Sequence, residues 1–269
     1  MRDCVWPRLA LGLALLGAPG ASATDYWDAS VIKDNSAIET YNEMYHGVSQ
    51  QHDLQANAGP VADEDWSFVM NAPYSSYEVI VDSASADVFE VELTRLDSNG
   101  TTVIQQSEAA NLGAAVATNR ALRWLGPNIF YLNFLRVRSG GCITTCGPAA
   151  QYHIRFYDTT IAVPRFNNAG GQVTVLIIQN STRWTRNISG VARFWSASGT
   201  QLGFAVFPGG LAPKSALVLN TSTVPGLSGQ SGTITIDHDG GYGGLAVKAV
   251  ALEPATGFSF DSPGLYKPQ

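Results

Sequence analysis

From Asp65 onward the chain alternates apolar and polar residues with period two and breaks that alternation with turn residues every few positions. Trp66, Phe68 and Met70 alternate with Ser67 and Val69. Tyr77, Val79 and Val81 alternate with Glu78, Ile80 and Asp82, and Val91 and Leu93 with Glu92 and Thr94. Successive side chains of a strand point to opposite faces, so each set marks one face of a sheet. Turn signals separate the runs at Asn71-Ala72-Pro73, at Ser83 to Ser85 and at Asp97 to Gly100. Asn99-Gly100 suits a hairpin because both residues tolerate positive φ.

Further strands are expected at 101–106, 120–124, 129–138 and 151–157, with a loop at 109–118. Beyond them strands are expected at 172–179, 191–196, 201–207, 216–220, 232–238 and 245–252. No long stretch carries a helical period. Charged residues make up 14% of the chain against 27 Gly and 13 Pro, a balance that suits short strands and many turns. The expected fold is all-β, two consecutive jelly-roll-like β-sandwich modules. The boundary is placed near Thr159 to Pro164, because Pro164 disfavours a central strand. That gives an irregular N-terminal segment over 24–60, with one or two helical turns in 36–45, a first sandwich over 61–160 and a second over 161–269. The Pro- and Gly-rich tail from 253 is expected to wrap the surface.

The first residues read as a cleaved export signal, 1–23. Arg2 and Arg8 precede the apolar run Leu9 to Gly17, and Ala21-Ser22-Ala23 fits signal peptidase. That run is far shorter than the ~20 residues of a membrane-spanning helix, and no later stretch qualifies. The chain carries a formal charge of −6, which becomes −7 once Arg2, Asp3 and Arg8 are removed. With no cluster of Lys and Arg, the sequence gives no electrostatic reason to bind nucleic acid or anionic lipid. In an exported chain the close pair Cys142 and Cys146 reads as a disulfide, its spacing fitting neither a redox CxxC nor a complete zinc site.

The first module resembles the bacterial pre-peptidase C-terminal domain family. The resemblance rests on Asp63 to Phe68 (DEDWSF), Tyr77 to Ile80 (YEVI), Leu96 to Gly100 (LDSNG), Tyr131 to Val137 (YLNFLRV) and Tyr152 to Phe156 (YHIRF), and so covers about residues 60–158. It implies a jelly-roll sandwich with an accessory role in adhesion, secretion or solubility. Related collagen-binding modules hold calcium near the N-terminal edge. The chain departs from the family pattern by an insertion around 109–118. The second module resembles no family that can be named.

Several residue groups could carry chemistry. Asp63, Asp65 and Asp87 are the calcium candidates, Asp63 and Asp65 sharing one strand face, although calcium takes about six to eight oxygen ligands and no EF-hand spacing is present. The alternative is a solvated turn. His238 lies between Asp237 and Asp239 before a Gly-rich turn, and the plain reading is a polar strand end. His46, His52 and His153 lack any HExxH-like spacing. No GxSxG elbow or cofactor motif is present, so no catalytic residue is assigned, although a triad built from distant residues leaves no local mark. Trp184 between Arg183 and Arg186, with Tyr242 at a Gly-rich hairpin tip, forms the candidate binding set. Asn99, Asn180, Asn187 and Asn220 head glycosylation sequons, surface sites only in a host that glycosylates.

The sequence therefore reads as a secreted or periplasmic, non-catalytic binding or adhesion protein whose partner is an extracellular or envelope protein or a polysaccharide. The alternatives are a structural protein of the envelope and a secreted hydrolase of unrecognised type.

Overall fold

The computed structural model describes residues 27, 34–54, 63–83, 88–110, 119–142, 150–183 and 186–269. The expected export signal and the cysteine pairing lie outside the described residues.

The first module contains β1 (Ser49–Asp53), β2 (Glu64–Asn71), β3 (Ser76–Ser83), β4 (Val88–Leu96), β5 (Val103–Gln106), β6 (Glu108–Ala109), β7 (Arg120–Leu125), β8 (Tyr131–Cys142) and β9 (Gln151–Asp158). They form two antiparallel sheets, ordered β1-β9-β3-β7-β6 and β2-β8-β4-β5. The second module contains β10 (Ile161–Asn167), β11 (Val173–Asn180), β12 (Gly190–Trp195), β13 (Gln201–Val206) and β14 (Ala216–Asn220). It continues with β15 (Ser231–His238), β16 (Leu245–Glu253), β17 (Phe258–Pro263) and β18 (Leu265–Tyr266). Its sheets are ordered β13-β12-β15-β10-β18 and β14-β11-β16-β17. The expected all-β fold of two sandwich modules is the observed one.

Each core collects the inward half of the alternation. Val79 and Val81 of β3, Val91 and Leu93 of β4, Leu122 and Trp124 of β7 and Ile154 and Phe156 of β9 meet between the first pair of sheets. Leu176, Ile178, Phe194, Ile234 and Ile236 do so in the second. Each fully buried large side chain contributes about 1.5–3 kcal/mol.

Three expectations are corrected. Residues 49–53, placed in an irregular segment, are β1, which pairs with β9 from Ser49↔Arg155 to Asp53↔Gln151. Ahead of it, 36–40 makes one hydrogen-bonded turn, and 42–46 runs as a strap against Phe68 and Phe156. Pro164, expected to disfavour a central strand, sits inside β10, between β15 and β18. The ladder slips between Val163 and Phe166, so the proline falls in a bulge where no N–H is required. Much of the tail is strand rather than a loose wrapping: β17 pairs with β16 and β18 with β10.

A covered outer face joins the modules. Glu78 and Arg123 lie opposite each other on β3 and β7, pointing away from the first core, yet both are buried. Glu78 Oε1 takes Arg123 Nε at 2.6 Å, and Glu78 Oε2 accepts the backbone N–H of Tyr242 from the second module at 2.8 Å. Glu108 lies 2.7 Å from Arg123 Nη1 and 3.2 Å from Arg186 Nη2. Alongside, Tyr242 packs against His46, Tyr157 and Tyr266.

The Asp97–Thr102 hairpin needs its glycine twice over. Gly100 has φ 72°, which a side chain disfavours, and a Cβ there would stand 2.2 Å from Ala37 Cβ in the turn preceding the strap. Gly100→Ala is expected to lower stability by about 1–3 kcal/mol. The check is a lower urea midpoint with unchanged slope; an unchanged midpoint contradicts the tight docking of that turn.

Candidate functional site

The strongest convergence of chemical groups follows from an inversion on β2. The aromatic set Trp66, Phe68 and Met70 faces out, while Asp65, Ser67, Val69 and Asn71 face the first core. Asn71 there accepts from Trp124 Nε1 at 2.9 Å and donates to Asn133 Oδ1 at 2.9 Å. Asp65 is carried into the interior, where Tyr152 of β9 donates its hydroxyl to Oδ2 at 2.5 Å.

Asp65 meets Asp34, at the head of the described N-terminal segment, and His52 on β1. The three side chains are 3%, 1% and 2% exposed, and one ligand atom of each lies within 4.8 Å of the others. His52 Nδ1 stands 3.6 Å from Asp34 Oδ2. Its Nε2 lies 3.1 Å from Gln50 Oε1, and Gln50 is locked to Asn42 by two reciprocal amide hydrogen bonds of 2.9 Å. The imidazole is stacked on Tyr152 at 5.3 Å and on Trp27 at 5.8 Å. With Oε1 as its neighbour, Nε2 is the donor, which leaves Nδ1 toward the carboxylates. One ligand atom from each of His52, Asp34 and Asp65 thus converges, as the ligands of one cation do.

The donor set departs from the expected calcium site. Calcium prefers oxygen ligands, whereas an imidazole beside two carboxylates suits a borderline cation such as zinc. Of the described calcium candidates, Asp63 and Asp65, it is Asp65 that joins the centre. Asp63 is buried but turns Oδ1 to the backbone N–H of Glu64 at 2.9 Å, and Asp87 lies outside the described residues. Neither Asp34 nor His52 carries a local signal, because they approach Asp65 through strap and sheet pairing.

Two members of the expected binding set, Arg186 and Tyr242, fall in the seam between the modules. Trp184 lies outside the described residues, and Arg183 is exposed. Arg186 instead pairs with Asp239 Oδ2 at 3.2 Å and with Glu108 across the seam. Tyr242, expected at a solvent-facing tip, is wedged between rings of both modules and donates its hydroxyl to the Lys267 carbonyl at 2.6 Å. The Gly-rich turn carries it inward because the second module's tail closes over it.

The histidines of the hydrolase alternative also have defined places. His238 is fully buried and accepts the Gly240 N–H at Nδ1 over 3.1 Å. Its neighbours Asp237 and Asp239 pair with Arg193 and Arg186. Burial holds both carboxyls above their ordinary range despite those arginines. His46 accepts from Asp158 N–H at Nδ1 and faces the Lys267 and Pro268 carbonyls with Nε2. His153 lies opposite Gln51 and Asp82 in the β1-β9-β3 ladder.

No family model matches the chain, and no curated protein matches it. Solved structures similar to it include the pre-peptidase C-terminal domain of a collagenase from Bacillus anthracis, at 8% identity over 43% of this chain and 92% of that one, TM-score 0.31. Another is the full extracellular region of zebrafish Gpr126/Adgrg6, at 9% identity over 82% of this chain and 31% of that one, TM-score 0.25. A third is a beta-glucuronidase from glycoside hydrolase family 2, at 12% identity over 86% of this chain and 26% of that one, TM-score 0.20. The chain spans less than a third of the latter two, and likeness of this degree assigns neither ligand nor activity.

Burial pushes His238 down from 6.5 to about 4. The unfolded chain therefore gains a proton at His238 that the folded chain does not until the pH reaches about 4. The contribution is complete above pH 6.5 and is lost as pH falls from 6.5 to about 4, on the order of 3 kcal/mol in all. His238→Gln is expected to flatten the fall in melting temperature across that window. Parallel curves for variant and wild type would contradict a neutral buried His238.

Proposed function

We propose that the chain is an exported, non-catalytic two-module protein that binds an extracellular or envelope partner, protein or polysaccharide, through its outer surfaces. The observation that carries this reading is the seam. Glu78, Arg123, Glu108, Arg186, Asp239 and Tyr242 hold the two sandwiches in one orientation and draw into structural contacts the residues best suited to chemistry near His238. A fixed pair of sandwiches presents fixed outer faces and loops, which is what a recognition scaffold requires. A sedimentation assay with insoluble polysaccharides and matrix proteins tests it. The expected result is retention of the protein without soluble product. Release of sugar or peptide that stops in His153→Ala or His238→Gln overturns it in favour of a hydrolase.

The centre at Asp34, His52 and Asp65 serves this reading as a clamp. A zinc-class cation there ties the N-terminal segment to β1 and β2, adding side-chain links to the backbone bonds, such as Trp66 N–H to Asp34 O, that already join them. Binding to the native state alone raises stability, by about 2.7 kcal/mol at a hundredfold excess over Kd. Zinc is expected to raise the melting temperature by several degrees, reversibly with chelator, and calcium to leave it unchanged. Asp34→Asn removes the shift. A rise with calcium alone, or none with zinc, refutes the assignment.

A further inference from the structure

The outer face of the β2-β8-β4-β5 sheet holds a cavity of about 290 Å³ that nothing above uses. The strand register builds it. Arg138 of β8 stands between Glu64 of β2 and Glu92 of β4, and Arg136 stands between Trp66 and Thr94. Two residues apart on one strand, both arginines point to the same side. Arg120, from the start of β7 in the other sheet, closes the cavity at Ser107.

The charges do not balance locally. Arg138 is matched, with Nε 2.5 Å from Glu92 Oε2 and Nη1 3.8 Å from Glu64 Oε1. Arg136 is not. Its nearest carboxylate, Glu64 Oε2, is 3.8 Å from Nη1, beyond hydrogen-bond reach, and its guanidinium lies 5.5 Å from the Trp66 ring centre. The buried Nε of Arg136 has no hydrogen-bond partner among the described residues. Among the described residues Arg120 donates to neutral acceptors, Ser107 Oγ at 3.1 Å and Ser107 O at 3.0 Å. Among the described side chains, three guanidiniums thus face two carboxylates on a chain whose net charge is −6. A guanidinium is a fork of planar donors that matches a two-oxygen anion, and a partly desolvated fork without its anion is a poor resting arrangement.

We propose that this groove binds the carboxylate or sulfate group of an acidic glycan, with Arg136 and Arg120 as its donors. Thr94, Ser107 and Gln106 beside them offer hydroxyl and amide groups suited to sugar hydroxyls. The inference deepens the binding reading above and rests on it, naming the ligand class and the face.

The test uses the mature chain and four probes: polygalacturonate, a sulfated glycan, a neutral glucan and poly-glutamate. Affinity for one or both acidic glycans is expected, weakening with salt as charge pairing does. Arg136→Gln and Arg120→Gln are each expected to weaken it about tenfold, as the loss of a charge-assisted hydrogen bond does. Gln106→Glu, at an exposed position that leaves folding intact, is expected to weaken it similarly by adding a carboxylate to the groove. Unchanged affinity in all three variants overturns the proposal. So does binding to poly-glutamate in preference to both acidic glycans. A wild-type protein that binds only the neutral glucan or a matrix protein sinks the groove and leaves the binding reading standing. One that binds no partner and turns over substrate sinks both.

Discussion

The architecture turns on a buried ion pair that lies outside either core. Glu78 and Arg123 face each other on the outer side of the first module and are desolvated because the second module covers them. Removing two charges from water costs several kcal/mol per ion, and their attraction offsets that only when the remaining donors and acceptors are met. Here Glu78 also receives the Tyr242 N–H, while Arg123 also reaches Glu108 and the Ala110 carbonyl. A sliding or tilting of the modules would strand one of these groups. The pair therefore acts chiefly on orientation, selecting one docking geometry among many that the flanking tyrosines alone would tolerate.

That geometry explains what the sequence showed and what it concealed. Alternation placed Val79, Val81, Val91 and Leu93 on inner faces without knowledge of their partners, because a two-residue period is a local property. The Asn99-Gly100 turn was legible for the same reason. The strands at 49–53, 161–167 and 258–263 were not, since Gln50 and His52, Pro164 and Ser259 are poor strand signals that long-range pairing overrides. Tyr242 looked exposed because glycines surround it. Nothing local announces that a C-terminal segment from the same chain folds over it.

The candidate centre was legible by one residue. Asp65 sits in a densely acidic turn, and a carboxylate at the head of a strand draws attention. Its neighbours Asp34 and His52 come from the N-terminal segment and from an unrecognised edge strand. Their approach is fixed by hydrogen bonds such as Trp66 N–H to Asp34 O at 2.6 Å and Leu54 N–H to Ala150 O at 3.0 Å. No spacing rule encodes a site assembled from three separate segments, so the acidic cluster was seen and Asp34 and His52 were not.

The inverted face of β2 links the centre to the groove. Had Trp66, Phe68 and Met70 faced inward as a plain hydrophobic strand would, Asp65 would stand in solvent and Trp66 in the core. Because Asp65 is met inside by Tyr152 and Asn71 by Trp124 and Asn133, the strand can turn its aromatics away from that core. Trp66 then lies beneath Arg136, and its ring face helps to hold a guanidinium that has no carboxylate within hydrogen-bond reach among the described residues. One choice of register thus supplies both a buried acidic centre near the N-terminal edge and a cationic groove on the opposite side of the same strand. A slip of one residue in β2 would abolish the two together.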